Sequence, residues 1–104
     1  MKIYNKLVRD RIPEIITAQG KHCRCKVLTE EEYLSALNAK LDEELAEYHE
    51  SGSLEELADL LEVICALSVA KGSSPAELEN VRIEKALKRG GFDKKIMLIE
   101  VQEN

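Results

Sequence analysis

Two acidic pairs, one on each side of a three-residue break, constrain this sequence more than any other feature. Residues 40 to 59 read KLDEELAEYHESGSLEELAD, in which Glu44 and Glu47 have i,i+3 spacing, as do Glu56 and Asp59. The S-G-S break between two helix-forming stretches predicts an αα-hairpin with a tight connection. Because the two helices of a hairpin are antiparallel and each i,i+3 pair lies along one face, the four carboxylates are expected to converge.

The helical period predicts the direction in which each acid of the first helix points. One apolar stripe is formed by Leu34, Leu37, Leu41, Leu45 and Tyr48. At about 100° per residue, Glu44 lies roughly 60° from the centre of that stripe, Glu47 about 120° and Glu43 about 160°. We therefore expect Glu44 to lean inward, Glu47 to sit at the edge and Glu43 to face water.

The second helix of the hairpin carries two apolar stripes. The first stripe is Leu54, Leu57, Ala58, Leu61, Ile64 and Cys65, and the second stripe is Leu60, Val63, Leu67 and Ala70. Glu56 lies close to the centre of the second stripe and Asp59 roughly 60° from it. A charge on an apolar face costs several kcal/mol unless it is compensated, and a bound cation is one compensation. The second stripe is also expected to need a partner surface.

Each of these acids also has an ordinary structural explanation. Ser53-x-x-Glu56 matches a helix capping box, Asp59 near a helix start is favoured by the helix dipole, and Glu44 can pair with Lys40 one turn earlier. These explanations suffice for single residues. They do not explain why the acids lean toward the same side of one hairpin, so the set as a whole favours a metal site.

Length and composition predict one domain, residues 1–104, of an ordinary globular type. Hydrophobic residues make up 44% and charged residues 34%, with one Phe, three Tyr and no Trp, so an aliphatic core typical of helix bundles is expected. The net charge of −5 argues against a general nucleic-acid binder. No apolar leader or bilayer-length apolar run is visible, so a cytoplasmic protein without a membrane partner is expected.

Cap and turn residues divide the chain into elements. Pro13 and Gly20 bound a short helix. Thr29, Ser53 and Ser74 start three longer helices that end near residues 50, 71 and 89. Residues 23–28 and 95–101 are rich in β-branched or apolar residues and are expected to pair as two strands. The predicted fold class is therefore all-α, a helical bundle built on an antiparallel αα-hairpin, with a small two-stranded β element.

The three cysteines are an odd number in a chain expected to be cytosolic, so free thiols are predicted. Cys23 and Cys25 lie beside His22, and a zinc site is a minor alternative because the usual C-x-x-C spacing is absent.

The acidic residues resemble a known signature. Glu43-Glu44-x-x-Glu47 followed by Glu56-x-x-Asp59 is similar to the E-E-x-x-E … E-x-x-D pattern of MazG-like nucleoside triphosphate pyrophosphohydrolases. These enzymes share an all-α superfamily with phosphoribosyl-ATP pyrophosphohydrolases and dimeric dUTPases. The segments KLVRDRIPEII and KALKRGGF resemble a small single-domain house-cleaning subgroup. The eight residues between the two motifs are fewer than in the family pattern, a departure that bears on the base pocket more than on metal ligands.

The resemblance implies a metal, a reaction and an assembly. It implies one or two Mg²⁺ ions held by Glu44, Glu47, Glu56 and Asp59. It implies hydrolysis of a nucleoside triphosphate, in particular a non-standard one, to monophosphate and pyrophosphate, with phosphoribosyl-ATP as an alternative substrate. It also implies a homodimer or homotetramer built on paired hairpins.

Roles for single residues follow from charge and position. Glu44 leans furthest inward on its helix and is the candidate catalytic base that positions water. The candidate phosphate-binding residues are Lys85, Arg89, Lys6, Arg9 and Arg11. Arg9 and Arg11 have an ordinary alternative in surface pairs with Asp10 or Glu14.

Two rival interpretations belong to other classes. In a non-catalytic helical interaction module, the second apolar stripe would be a dimer or partner interface and the acids would be caps and rim charges. A di-iron carboxylate bundle ranks lower, because it requires Glu-x-x-His motifs and neither His22 nor His49 has a Glu three residues before it.

Overall fold

The computed structural model describes residues 1–103, and every regular element in that range is an α-helix. The four helices are α1 (Ile12–Ala18), α2 (Glu30–Ser51), α3 (Leu54–Ala70) and α4 (Pro75–Arg89). The predicted hairpin is confirmed: α2 and α3 pack along each other, and α4 packs on α3. No helix within residues 1–103 is both long and apolar enough to cross a membrane.

The three long helices begin at the predicted caps. The hydroxyl oxygens of Thr29, Ser53 and Ser74 accept hydrogen bonds from the backbone N–H three residues later, at 3.2, 3.3 and 3.1 Å. Gly52 ends α2 with φ 65°, a left-handed conformation that glycine adopts without steric cost, and its N–H donates to Tyr48 O at 2.7 Å. Local chemistry therefore fixes where the hairpin turns.

The hairpin core reverses the predicted roles of the two α3 stripes. The second stripe lies on the face of α3 that is turned toward α2, together with Glu56 and Asp59. Val63 of this stripe is buried, and the other residues of the stripe are half-buried. Leu37 is the buried counterpart on α2. The first stripe is the one left exposed, through Leu54, Leu57, Leu61 and Ile64. The expectation that the second stripe lacks a partner is wrong, because α2 covers it.

The predicted β element is also wrong. Residues 23–28 and 95–101 contain no strand and no bridge. Nearly all of their side chains are exposed, so neither segment has an apolar surface to rest on. An isolated two-stranded pair is marginal in water without such a surface, which is why local β propensity fails to produce strands here.

The three cysteines are free thiols, as predicted. Cys23 and Cys25 are exposed with their sulfurs 3.9 Å apart, and Cys65 is half-buried. Within residues 1–103, neither these thiols nor His22 joins a group of three or more metal-ligating side chains. The structure thus gives no geometric support to the zinc alternative.

Candidate metal centre

Three carboxylates from both helices of the hairpin meet at one point. Glu44 on α2 and Glu56 and Asp59 on α3 each offer one oxygen, and these oxygens all lie within 4.8 Å of one another. The tight turn and the i,i+3 spacing on α3 bring them together. Glu47, the fourth predicted ligand, is more exposed and lies outside this group of three.

Glu44 is the most enclosed member of the cluster, with 6% of its surface exposed. Its Oε1 lies 3.5 Å from Lys40 Nζ, which is the i,i+4 pair that the sequence allowed. Its Oε2 is buried and has no hydrogen-bond partner. Pairing with lysine therefore accounts for one oxygen and leaves the other uncompensated, at a cost of about 1–3 kcal/mol or more for a charged group.

Glu56 does not complete the capping box that its position suggests. In α2, the Thr29 N–H donates to the Glu32 carboxylate at 3.0 Å. In α3, the corresponding Ser53 N–H donates instead to the Ser51 hydroxyl at 3.2 Å. The Glu56 carboxylate is therefore not used in the cap, and its Oε2 is buried without a hydrogen-bond partner. Capping explains the backbone of Glu56 but not its side chain.

The electrostatics of the cluster disfavour its own ionisation. Burial is the main cause that raises the pKa of Glu44, and the neighbouring carboxylate of Glu47 raises it further. Burial likewise raises the pKa of Glu56 first, and the charges of Glu47 and Asp59 raise it further. Glu47 thus acts electrostatically on the cluster although it lies outside the group of three.

Two cations compensate part of this charge. Arg9 Nη2 lies 2.6 Å from Asp59 Oδ1, across 50 residues of sequence, while Lys40 contacts Glu44. With Glu47 included there are four acids, and two cations lie beside them. When all four acids are ionised, two negative charges are left uncompensated. A divalent cation matches that charge, and carboxylate oxygens are the ligands that Mg²⁺ prefers. The donor set therefore fits the metal that the motif implies.

The N-terminal arm, residues 1–11, closes one side of the cluster. Lys6 Nζ contacts Glu43 Oε1 at 3.0 Å, which lowers the pKa of Glu43 through that hydrogen bond. Glu43 also lies 3.6 Å from Lys40 and is half-buried. The expectation that Glu43 faces water is therefore wrong, because the arm covers it.

A groove of about 450 Å³ opens between the arm and the hairpin. Its lining comprises Leu7, Val8, Arg9, Asp10, Arg11, Tyr33, Leu37, Lys40, Glu44, Asp59, Glu62, Val63 and Ala66. This volume lies in the range of about 300–1,000 Å³ typical of small-molecule sites. The groove joins an apolar floor to both the acidic cluster and two arginines.

The five predicted phosphate-binding residues separate into two groups. Arg9 and Arg11 line the groove, and Lys6 lies on the same arm, where it pairs with Glu43. Arg11 also pairs with Glu14 at 3.3 Å, the ordinary surface pair that the sequence allowed. Lys85 and Arg89 are exposed on α4, which contacts α3 but not α2, and neither lines the groove. A single chain does not bring these two to the cluster.

Lys40 is the groove residue that the sequence interpretation undervalued. Its side chain is mostly buried and its Nζ lies between Glu43 and Glu44. The signal was present in the sequence, since Lys40 precedes these acids by three and four residues. The sequence offers local pairing of Lys40 as an alternative to function, whereas in the structure the same lysine both pairs with Glu44 and lines the groove.

Comparison with known proteins assigns no family to this chain. No protein-family profile matches it, and no solved structure matches it. An uncharacterized protein of Mycolicibacterium smegmatis (strain ATCC 700084 / mc(2)155) is 57% identical over 42 residues. The aligned stretch covers 40% of this chain and 43% of that relative, so this chain matches less than half of the relative's length.

Proposed function

We propose that this protein hydrolyses nucleoside triphosphates, in particular non-standard ones, to monophosphate and pyrophosphate with the help of Mg²⁺. The observation that carries the proposal is the pair of buried carboxylate oxygens on Glu44 and Glu56 that have no partner. A bound cation would compensate these carboxylates, which supports the proposal. The resemblance of the two acidic motifs to the MazG-like signature supports the same reaction. The proposed substrates are free nucleotides of the cytoplasm.

The residues proposed to hold Mg²⁺ are Glu44, Glu56 and Asp59, with Glu47 beside them. Mg²⁺ supplies neutralisation of phosphate charge and a lower pKa for water. Few protein ligands suffice, since Mg²⁺ usually retains several waters and takes phosphate oxygens from the substrate.

Glu44 is the proposed base. It is the most enclosed acid of the cluster, and its Oε2, which no hydrogen bond occupies, is free to accept a proton from water. The water that it deprotonates adds to the α-phosphorus, the bond from that phosphorus to the bridging oxygen breaks, and pyrophosphate leaves. The proton stays on Glu44 until it is released to solvent.

Arg9 and Arg11 are the proposed holders of the polyphosphate. Both line the groove beside the cluster, and guanidinium groups bind phosphate oxygens through paired, charge-assisted hydrogen bonds. Lys6 extends the positive charge along the same arm. Developing negative charge on the leaving pyrophosphate is stabilised by these groups, which are already in place before the reaction.

The direct test is a panel of standard and modified nucleoside triphosphates, and phosphoribosyl-ATP, assayed for pyrophosphate release. We expect release with Mg²⁺, none with EDTA, and a nucleoside monophosphate as the second product. Because a ligand bound only by the folded state raises the melting temperature, Mg²⁺ alone should also raise Tm. The proposal is overturned if no substrate in the panel releases pyrophosphate and Mg²⁺ does not shift Tm.

That negative outcome would favour the second candidate function, a non-catalytic interaction module. One observation supports it independently of the acids: the first stripe on α3 is apolar and exposed. In such a module Mg²⁺ leaves Tm unchanged. The two functions are therefore separated by one thermal scan with and without Mg²⁺.

Replacing Arg9 with glutamine is expected to tighten Mg²⁺ binding while weakening substrate binding. Arg9 and a metal ion compete for Asp59, and an exposed ion pair of this kind is worth about 0.2–1 kcal/mol, so Mg²⁺ affinity should rise by at most about fivefold. Loss of the guanidinium should raise KM for the triphosphate. Affinity is measured from the Mg²⁺ dependence of Tm, and KM from initial rates.

Arg82→Gln is the matched control for Arg9→Gln, because Arg82 forms an exposed pair with Glu79 on α4, outside the groove. The control should change neither the Mg²⁺ dependence of Tm nor KM. Equal behaviour of the two variants would remove Arg9 from the site.

A further inference from the structure

The chain exposes far more surface than a folded monomer of its size. Its accessible surface is 9787 Å², whereas a monomer of 11.7 kDa is expected to expose about 5,900 Å². Its radius of gyration is 18.6 Å, against about 13 Å for a compact domain of this length. An obligate dimer hides roughly 1,000–2,500 Å² per subunit. The excess of about 3,900 Å² exceeds what one such interface hides on each subunit, so it is large enough to include a dimer contact.

Exposed apolar side chains are concentrated on the tail, defined as residues 96–101. The chain turns at Lys95, whose N–H donates to Phe92 O at 3.1 Å, and then continues without regular structure. Its five large apolar side chains, Ile96, Met97, Leu98, Ile99 and Val101, are each 69–83% exposed. The apolar residues are consecutive rather than alternating, a pattern typical of a segment buried on both faces. Within residues 1–103 nothing covers the tail in this way.

A second uncovered apolar surface lies on the outer face of α3. Leu54, Leu57, Leu61 and Ile64 follow helical spacing along the face opposite α2, and each is 37–81% exposed. Glu55 and Glu62, both exposed, border this face. Lys94 and Lys95 directly precede the tail, whereas Glu100 lies within it, so the charges at the N-terminal end of the tail are opposite in sign to those that border α3.

We propose that the tail of one copy of this chain packs on the outer face of α3 in a second copy, and that the second tail does the same in return. A two-fold arrangement of this kind covers both apolar surfaces with a single type of contact. It places Lys94 and Lys95 beside Glu55 and Glu62 of the opposite copy, which orients the tail. The tail is thus the segment that holds the subunits together, and the inference does not depend on the proposed catalysis.

Sedimentation equilibrium of the full chain tests the assembly. We expect wild type to be a dimer or a higher multiple of a dimer. Leu98→Asp on the tail and Leu61→Asp on α3 should each shift the chain to monomer, by at least about 100-fold in the dissociation constant. Leu87→Asp is the matched control, because Leu87 is 82% exposed on α4 but belongs to neither surface. A monomeric wild type, or Leu98→Asp that associates like wild type, overturns the proposal.

Disulfide trapping keeps the proposal testable even if an aspartate variant unfolds. In a background carrying Cys23→Ser, Cys25→Ser and Cys65→Ser, one chain receives Leu61→Cys and another Leu98→Cys. The two chains are mixed under conditions that exchange subunits and then oxidised mildly. A covalent dimer that forms in the mixture, and in neither chain alone, supports the tail-to-α3 contact. A monomeric chain that carries both replacements and forms an internal disulfide shows that the tail folds back on its own α3 and overturns the proposal.

Discussion

Replacement of Glu56 by glutamine is expected to abolish pyrophosphate release and leave the four helices intact. The carboxylate contributes an oxygen to the cluster and takes no part in the cap, whose bond uses the backbone N–H of residue 56. Mutation of a residue that only supports a metal ligand lowers metal affinity or activity by about 10–100-fold. Loss of a ligand itself should therefore reduce the rate by about 100-fold or more. Initial rates and far-ultraviolet circular dichroism measure the two effects, and Asp59→Asn should behave in the same way.

Glu50→Gln provides the control for Glu56→Gln. Glu50 is exposed in the last turn of α2, outside both the cluster and the groove. It tests the loss of one negative charge near the same turn of the hairpin. We expect wild-type rates and a wild-type Mg²⁺ dependence of Tm. Substantial Mg²⁺-dependent turnover in both Glu56→Gln and Asp59→Asn would contradict the proposed site.

Replacement of Glu44 by glutamine is expected to stabilise the metal-free protein at neutral pH while removing its activity. The change eliminates a buried charge whose Oε2 has no partner, and Lys40 retains Glu43 at 3.6 Å. A gain of about 1 kcal/mol corresponds to a rise in Tm of about 4–8 °C for a chain of this size. Thermal unfolding in EDTA measures the gain. A lower Tm than wild type would show that the buried carboxylate stabilises the fold.

The gain from Glu44→Gln should depend on pH in a defined direction. Because the folded-state pKa of Glu44 is raised, the folded wild type binds more protons than the unfolded chain, and its stability falls as pH rises from the ordinary glutamate pKa through the raised one. Glutamine has no such titration. The difference in Tm should therefore be largest at neutral pH and disappear below about pH 4.

Mg²⁺ should make wild type more thermally stable than Glu44→Gln, which is the reverse of the order expected in EDTA. Wild type gains Tm with Mg²⁺ because the cation compensates the cluster, whereas Glu44→Gln lacks that charge and should gain little. Asp42→Asn is the matched control, since Asp42 is exposed on the same helix and lies outside the groove. It should resemble wild type both in EDTA and in Mg²⁺. Glu44, whose buried charge is expected to destabilise the metal-free protein, is thus the residue required for activity.

The sequence alone determined the hairpin and the convergence of most of its acids. Caps and turns act over three to five residues, so Thr29, Ser53 and Gly52 could be assigned from local chemistry. The inward direction of Glu44 and Glu56 follows from the helical period, which needs no tertiary information. These predictions succeeded because each depends on residues that are close together in the chain.

Only the tertiary structure decided the contacts between distant segments. The pairing of Arg9 with Asp59 and of Lys6 with Glu43 spans 50 and 37 residues, and no local pattern specifies it. The same limit explains the three wrong predictions, since the arm that covers Glu43 is also distant from it in the sequence. Which stripe of α3 is covered depends on the side from which α2 approaches, and whether residues 23–28 and 95–101 pair depends on a surface to support them. Periodicity shows which faces are apolar, whereas the partner that covers each face is fixed by packing across the whole chain.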